Sequence, residues 1–111
     1  MPAEVLLALT TLDSAAAAHQ LAHQLVETRL AACVHIESLE SVYRWDGQVR
    51  LSPEWRLLIK TTSERWAALR AFIDTHHPYE VPALVAWPCS QTPPQFAEWV
   101  RQETHPAPGG L

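Results

Sequence analysis

Residues 42–51 read V-Y-R-W-D-G-Q-V-R-L, with Asp46-Gly47 standing between two stretches of strand character. An Asp-Gly pair in that position is a strong local hairpin signal, because glycine accepts the positive φ of a primed two-residue turn. The chain is therefore expected to double back at Asp46-Gly47. The incoming arm runs from Ala31 to Trp45. The return arm is Val49 to Leu51 and then Trp55 to Thr61, with Pro53 interrupting it, as proline can only on a sheet edge or at a bulge. Along the incoming arm the apolar parity changes: Val34 and Ile36 share one face, whereas Leu39, Tyr43 and Trp45 fall on the other count. A bulge or bend near Glu37 to Glu40 would produce that change.

The elements around the hairpin follow from their periodicity. Glu4 to Thr11 is a short apolar run suited to a buried strand. Ser14 can cap a helix reaching Arg29, whose buried stripe is Ala18, Leu21, Ala22, Leu25 and Val26. After the hairpin, Thr61-Thr62-Ser63-Glu64 fits a capping box opening a second helix. Its face is Trp66, Leu69, Phe72, Ile73 and then His76, and Pro78 biases His77 out of the helix, so it stops at His76. Ala83 to Trp87 is a fourth strand. Thr92-Pro93-Pro94-Gln95 opens a third helix, with Gln95 in the capping position and Phe96, Trp99 and Val100 as its buried stripe. The order is an α+β, ferredoxin-like βαββαβ sandwich with an extra C-terminal helix, in which the helices cover one sheet face. One domain spans residues 1–104, and 105–111 form a loose tail. The long aromatic hairpin outruns the helices, which predicts self-association.

Bulk composition narrows the function. The chain has 111 residues, 48% hydrophobic and 18% charged, with five tryptophans, a globular composition with room for a single core. With 8 Lys+Arg against 12 Asp+Glu the formal charge is -4, so no positive field exists to hold a phosphate backbone, and nucleic acid is excluded as the expected partner. The N-terminus lacks a basic start, and no apolar run is long enough to span a bilayer, so a cytoplasmic protein without a membrane partner is expected. Cys33 and Cys89 lie singly in apolar runs and read as buried, free thiols.

The chemistry concentrates in H-H-P-Y-E-V-P, residues 76–82. Adjacent imidazoles at a helix end could offer nitrogens to one divalent ion, with Glu80 as an oxygen donor; the structural alternative makes His76 the last residue of the apolar face and His77 a helix cap. His19 and His23 have the i, i+4 spacing of a two-point clamp but lie on a polar face without the acidic residue of H-E-x-x-H, and read as solvated. His77 could serve as an acid or base with Glu80 or Tyr79, yet there is no nucleophile elbow and no glycine-rich phosphate loop, so no catalytic residue and no enzyme activity is expected. Lys60, ending a strand, could bind an anion in a cleft near Glu80.

Five blocks together resemble the CutA family of divalent-cation tolerance proteins: L-A-A-C-V at 30–34, S-V-Y-R-W-D-G at 41–47, L-L-I-K-T at 57–61, H-P-Y-E-V-P at 77–82 and F-A-E-W-V at 96–100. The resemblance implies a ferredoxin-like fold, a homotrimer held by the long hairpins and a likeness to the trimeric PII signalling proteins. It implies divalent-metal binding, with copper taken by His76 and His77 and by a cysteine ending the first strand, a position that holds Leu9 here. Without that soft ligand the site should favour the oxidised copper ion. The alternative it suggests is a PII-like regulatory module whose inter-subunit cleft, lined by Trp45, Lys60, Tyr79 and Glu80, takes a small anion or a protein partner.

Overall fold

The computed structural model describes residues 3–106. The strands are β1 (Val5–Leu12), β2 (Cys33–Trp45), β3 (Gln48–Thr62) and β4 (Leu84–Pro88); the helices are α1 (Ala15–Glu27), α2 (Trp66–His76, entered through a 3-10 turn at Ser63–Arg65) and α3 (Pro94–Glu103). They form one antiparallel sheet in the order β2-β3-β1-β4, the ferredoxin-like arrangement the sequence predicts. The expected tail falls mostly at 107–111, outside the described residues. No helix among the described residues is long and apolar enough to cross a membrane.

The hairpin closes through Asp46 at φ 53 and Gly47 at φ 75, the two left-handed residues of a type I′ turn. Its register is unbroken from Cys33↔Lys60 to Trp45↔Gln48, so the expected bulge near Glu37 to Glu40 is absent. The parity change has a different cause. Val34 and Ile36 face the core under α1 and α2, whereas β1 pairs with β3 only as far as Leu12↔Trp55. Beyond that point Leu39–Trp45 and Gln48–Glu54 continue as a two-stranded ribbon about 23 Å long. Pro53 lies in this ribbon, where β3 has lost β1 as a neighbour and a missing N–H costs no ladder bond on that side. The ribbon stretches the molecule to 46 × 32 × 20 Å and a radius of gyration of 14.9 Å, against about 13 Å for a compact chain of this length.

The core lies between the sheet and the first two helices, where Leu12, Leu25, Leu57, Ile59, Leu69 and Ile73 are fully buried. Each such side chain contributes about 1.5–3 kcal/mol by leaving water. Helix α1 starts at the predicted cap, the Ala17 N–H donating to Ser14 Oγ at 3.1 Å, but it ends at Glu27 rather than Arg29. Arg29 takes φ 63, its N–H reaches the Val26 carbonyl, and the Leu30 N–H reaches the Leu25 carbonyl. This is a Schellman closure with an arginine where glycine is usual.

Two capping expectations fail. The Thr61 hydroxyl is buried and donates to the Leu30 carbonyl at 2.8 Å, so it is spent on joining β3 to the α1–β2 turn and caps nothing. Helix α3 is capped by Pro93 without a side-chain bond, and its buried residues are Ala97 and Val100, with Phe96 and Trp99 exposed. Ala97 and Val100 pack on Val5 and Ala32 in a second small cluster. Because Val5 and Ala8 alternate across the strand, α3 lies on the sheet face opposite to α1 and α2, so the helices do not all cover one face.

Candidate functional site

The sheet face opposite α1 and α2, which α3 covers at the Val5 end, carries, row by row, Leu7, Lys60, Cys33 and Trp87, then Leu9, Leu58, His35 and Val85, then Thr11, Arg56 and Glu37, and continues up the ribbon. Where β1 ends, the segment between α2 and β4 folds over this face. His77 positions that segment. It is 8% exposed, its Nε2–H donates to the Thr11 carbonyl at 2.8 Å, and its Nδ1 accepts the Tyr79 N–H at 3.1 Å. Burial lowers the His77 pKa from its ordinary value, opposed by the Thr11 carbonyl and by Asp13 and Glu54. The Tyr79 hydroxyl donates to Glu54 Oε2 at 2.7 Å; burial first, and then this bond, hold the phenol well above its usual range.

Together the ribbon and this segment border an open cavity of about 570 Å³, lined by Thr11, Ser41, Tyr43, Trp45, Glu54, Tyr79, Glu80, Val81 and Ala83. Three of the four predicted cleft residues, Trp45, Tyr79 and Glu80, therefore share one site. Lys60 does not. It sits six residues further along β3 from Glu54, about 20 Å away, with its Nζ 3.4 Å from His35 Nε2 and 5.9 Å from the Phe96 ring centre. Among the described residues of one chain, no lysine or arginine lines this cavity. Glu54, Tyr43 and Ser41 were not singled out from the sequence as site residues, although residues 41, 43 and 45 share one parity. Glu54 joins them only through the cross-strand register.

The two histidines are separated in role. Both His77 nitrogens are committed to backbone partners, so it cannot ligate a metal without releasing Thr11 or Tyr79. It is also the buried member of the pair, whereas His76, expected on the apolar face, is exposed. The His76 ring stacks on Phe72 at 3.8 Å and its Nδ1–H donates to the Phe72 carbonyl, leaving Nε2 available. In α1, His23 Nδ1 is turned to the His19 carbonyl. Among the described residues no three His, Cys, Asp or Glu side chains gather to hold one ion. The pair as it stands in one chain does not fit a two-nitrogen metal site.

Residues 6–103 match the family described as CutA1 divalent ion tolerance protein. The divalent-cation tolerance protein CutA of Thermus thermophilus is 41% identical over 97 residues, covering 86% of this chain and 94% of that protein. The CutA protein of Mus musculus is 38% identical over 105 residues, 94% of this chain, which spans only 59% of the mouse protein. Among solved structures, Thermus thermophilus Cut A1 superposes with a TM-score of 0.86 at 39% identity, covering 91% of this chain and 99% of that one. CutA1 of Oryza sativa superposes with a TM-score of 0.89 at 31% identity, covering 94% and 96%. The sheet order, the long ribbon and the match along nearly the whole domain have one meaning: this chain belongs to the CutA1 divalent ion tolerance protein family.

Proposed function

We propose that the chain acts as a cytosolic homotrimer that binds divalent ions, copper among them, in metal tolerance, and that it binds without catalysing a reaction. The family match over residues 6–103 carries the link to divalent ions. Support for assembly comes from the surface a single chain leaves open: Val42 (70%), Val49 (65%), Leu51 (65%), Trp45 (52%) and Val85 (54%) are largely exposed. A two-stranded ribbon is marginal alone in water, and apolar surface of this extent calls for a cover. A homotrimer built on the ribbons provides one.

In this reading His76 is the copper ligand with a free ring nitrogen, and His77 holds the adjoining segment in shape. Neutral imidazole is the ligating form, so uptake weakens as pH falls. Calorimetric titration of Cu(II) into wild-type, His76→Ala and His77→Asn protein tests it, with light scattering on the same samples. The expected result is a trimer mass, saturable binding by wild-type and loss in His76→Ala. Equal binding by all three proteins moves the site away from the pair, absence of binding by wild-type removes copper from the proposal, and a monomer mass removes the trimer.

A further inference from the structure

Helix α1 carries a histidine pair that the reading built on His76 leaves unused. His19 and His23 stand four residues apart, so their Cβ atoms lie about 6 Å from each other on one helix face. That face is turned to water. His19, Gln20, His23 and Glu27 are exposed, while Ala18, Leu21, Ala22 and Leu25 fasten the opposite side of the helix to the core. These exposed side chains are polar, so an assembly built on the apolar ribbons gains nothing by covering them and leaves the pair in water.

By its sequence the pair reads as solvated, and the structure adds what turns it toward ligation. His23 Nδ1–H donates to the His19 carbonyl at 2.9 Å, since a carbonyl can only accept. The bond fixes the tautomer, draws the ring back over the turn that bears His19, and leaves the Nε2 lone pair for a ligand. A metal-bound histidine ordinarily holds its other nitrogen in a bond of this kind. The helix beneath is fastened at both ends, the Ala17 N–H on Ser14 Oγ and the Leu30 N–H on the Leu25 carbonyl, so binding requires no rearrangement of the backbone. No lysine or arginine occurs in α1 to repel a cation, and Glu27, one turn beyond His23, adds a negative charge. No third His, Cys, Asp or Glu among the described residues completes the site, so water fills the remaining positions. Two neutral imidazoles suit borderline transition metals, whereas magnesium and calcium demand oxygen donors, and Cu(II) heads the series for nitrogen ligands. We propose that His19 and His23 form a two-point clamp on α1 for a divalent transition-metal ion, Cu(II) ahead of Ni(II) and Zn(II), separate from His76.

The test uses full-length His76→Ala protein in its native assembly as the background, so that the two sites are read apart. Cu(II), Ni(II), Zn(II) and Mg(II) are titrated by calorimetry at neutral pH, and the nitrogen couplings of bound Cu(II) are read by electron paramagnetic resonance. The background should still take up one Cu(II) per protomer, ligated by two imidazole nitrogens, and should ignore Mg(II). Adding His19→Ala or His23→Ala should weaken that uptake at least about tenfold, because a direct ligand matters no less than the outer partners that orient one. His23→Gln/Gln24→His keeps two histidines on the helix but turns them to different faces, and it should lose as much. All these positions are at least partly exposed, and circular dichroism on the same samples confirms that the helix is retained. Equal Cu(II) uptake by the background and both alanine variants, uptake kept by the register variant, competition by Mg(II), or no saturable Cu(II) uptake by the background would each overturn the clamp. Failure of the His76 reading shows separately, as identical titrations of wild-type and His76→Ala protein.

Discussion

The backbone N–H of Tyr79 donates to Nδ1 of His77, two residues earlier, while their rings meet edge to face with centres 4.8 Å apart. This contact needs the neutral imidazole, since Nδ1 must accept while Nε2–H donates to Thr11. Burial lowers the His77 pKa below the 6.5 it has when unfolded, so at acid pH the unfolded chain binds the extra proton first. Stability is therefore expected to be full above pH 6.5 and to decline as pH falls toward the folded value. Urea midpoints at fixed protomer concentration check this, and His77→Gln should flatten the acid-side slope; an unchanged slope would assign it to other groups.

Tyr79→Phe removes the donor to the Glu54 carboxylate at 2.7 Å and keeps the ring. A hydrogen bond to a charged partner at a half-buried site contributes about 1–2 kcal/mol, and the variant should lose about that much. Denaturation of Tyr79→Phe, Glu54→Gln and the double variant gives the coupling directly. Additive losses would mean that the two side chains do not interact in solution.

Two buried threonines should respond in opposite directions. Thr10 Oγ1 has no hydrogen-bond partner among the described residues, whereas Thr61 Oγ1 donates to the Leu30 carbonyl at 2.8 Å. Thr10→Val removes an uncompensated hydroxyl and should raise stability by about 1 kcal/mol; Thr61→Val leaves a buried carbonyl short of a donor and should lower it by about 1–2 kcal/mol. Thermal melts of the two near-isosteric variants decide it, and shifts of the same sign would contradict the assignment.

Arg29 closes α1 in the left-handed region, at φ 63. A side chain there costs about 1 kcal/mol relative to glycine, and among the described residues the guanidinium makes a single hydrogen bond, a long one of 3.4 Å to the Gln102 carbonyl. Arg29→Gly is expected to raise the unfolding free energy by about 0.5–1 kcal/mol, less the entropy glycine adds to the unfolded chain. A lower urea midpoint for the variant would show that the arginine's own contacts outweigh the strain.

Cys33 and Cys89 are free thiols. Cys33 lies on β2 and Cys89 follows β4, which places them at opposite edges of the sheet, about 14 Å apart across three strand spacings and beyond disulfide reach. Alkylation of the freshly purified protein without reductant should label both. A mass lower by two hydrogens with neither labelled would contradict the strand order itself.

Element type and order were legible in the sequence because they depend on local chemistry. The positive φ required at Asp46-Gly47, the Ser14 cap and the exclusion of helix by Pro78 each act within a few residues, and each stands as read. The five motif blocks likewise pointed to the family before any coordinates did. Local reading misjudged what depends on a distant partner. Thr61 has the right neighbours for a capping box but finds Leu30, 31 residues away, and the parity change in β2 reflects where β1 stops rather than a bulge. The cavity is the clearest instance, since Tyr43, Glu54 and Tyr79 come together only through hairpin register and the anchoring of His77 to Thr11. Lys60 shows the converse: sequence pattern can suggest that a lysine and a glutamate share a cleft, but a strand holds its residues about 3.3 Å apart, and six such steps set Lys60 beyond reach of the cavity within its own chain.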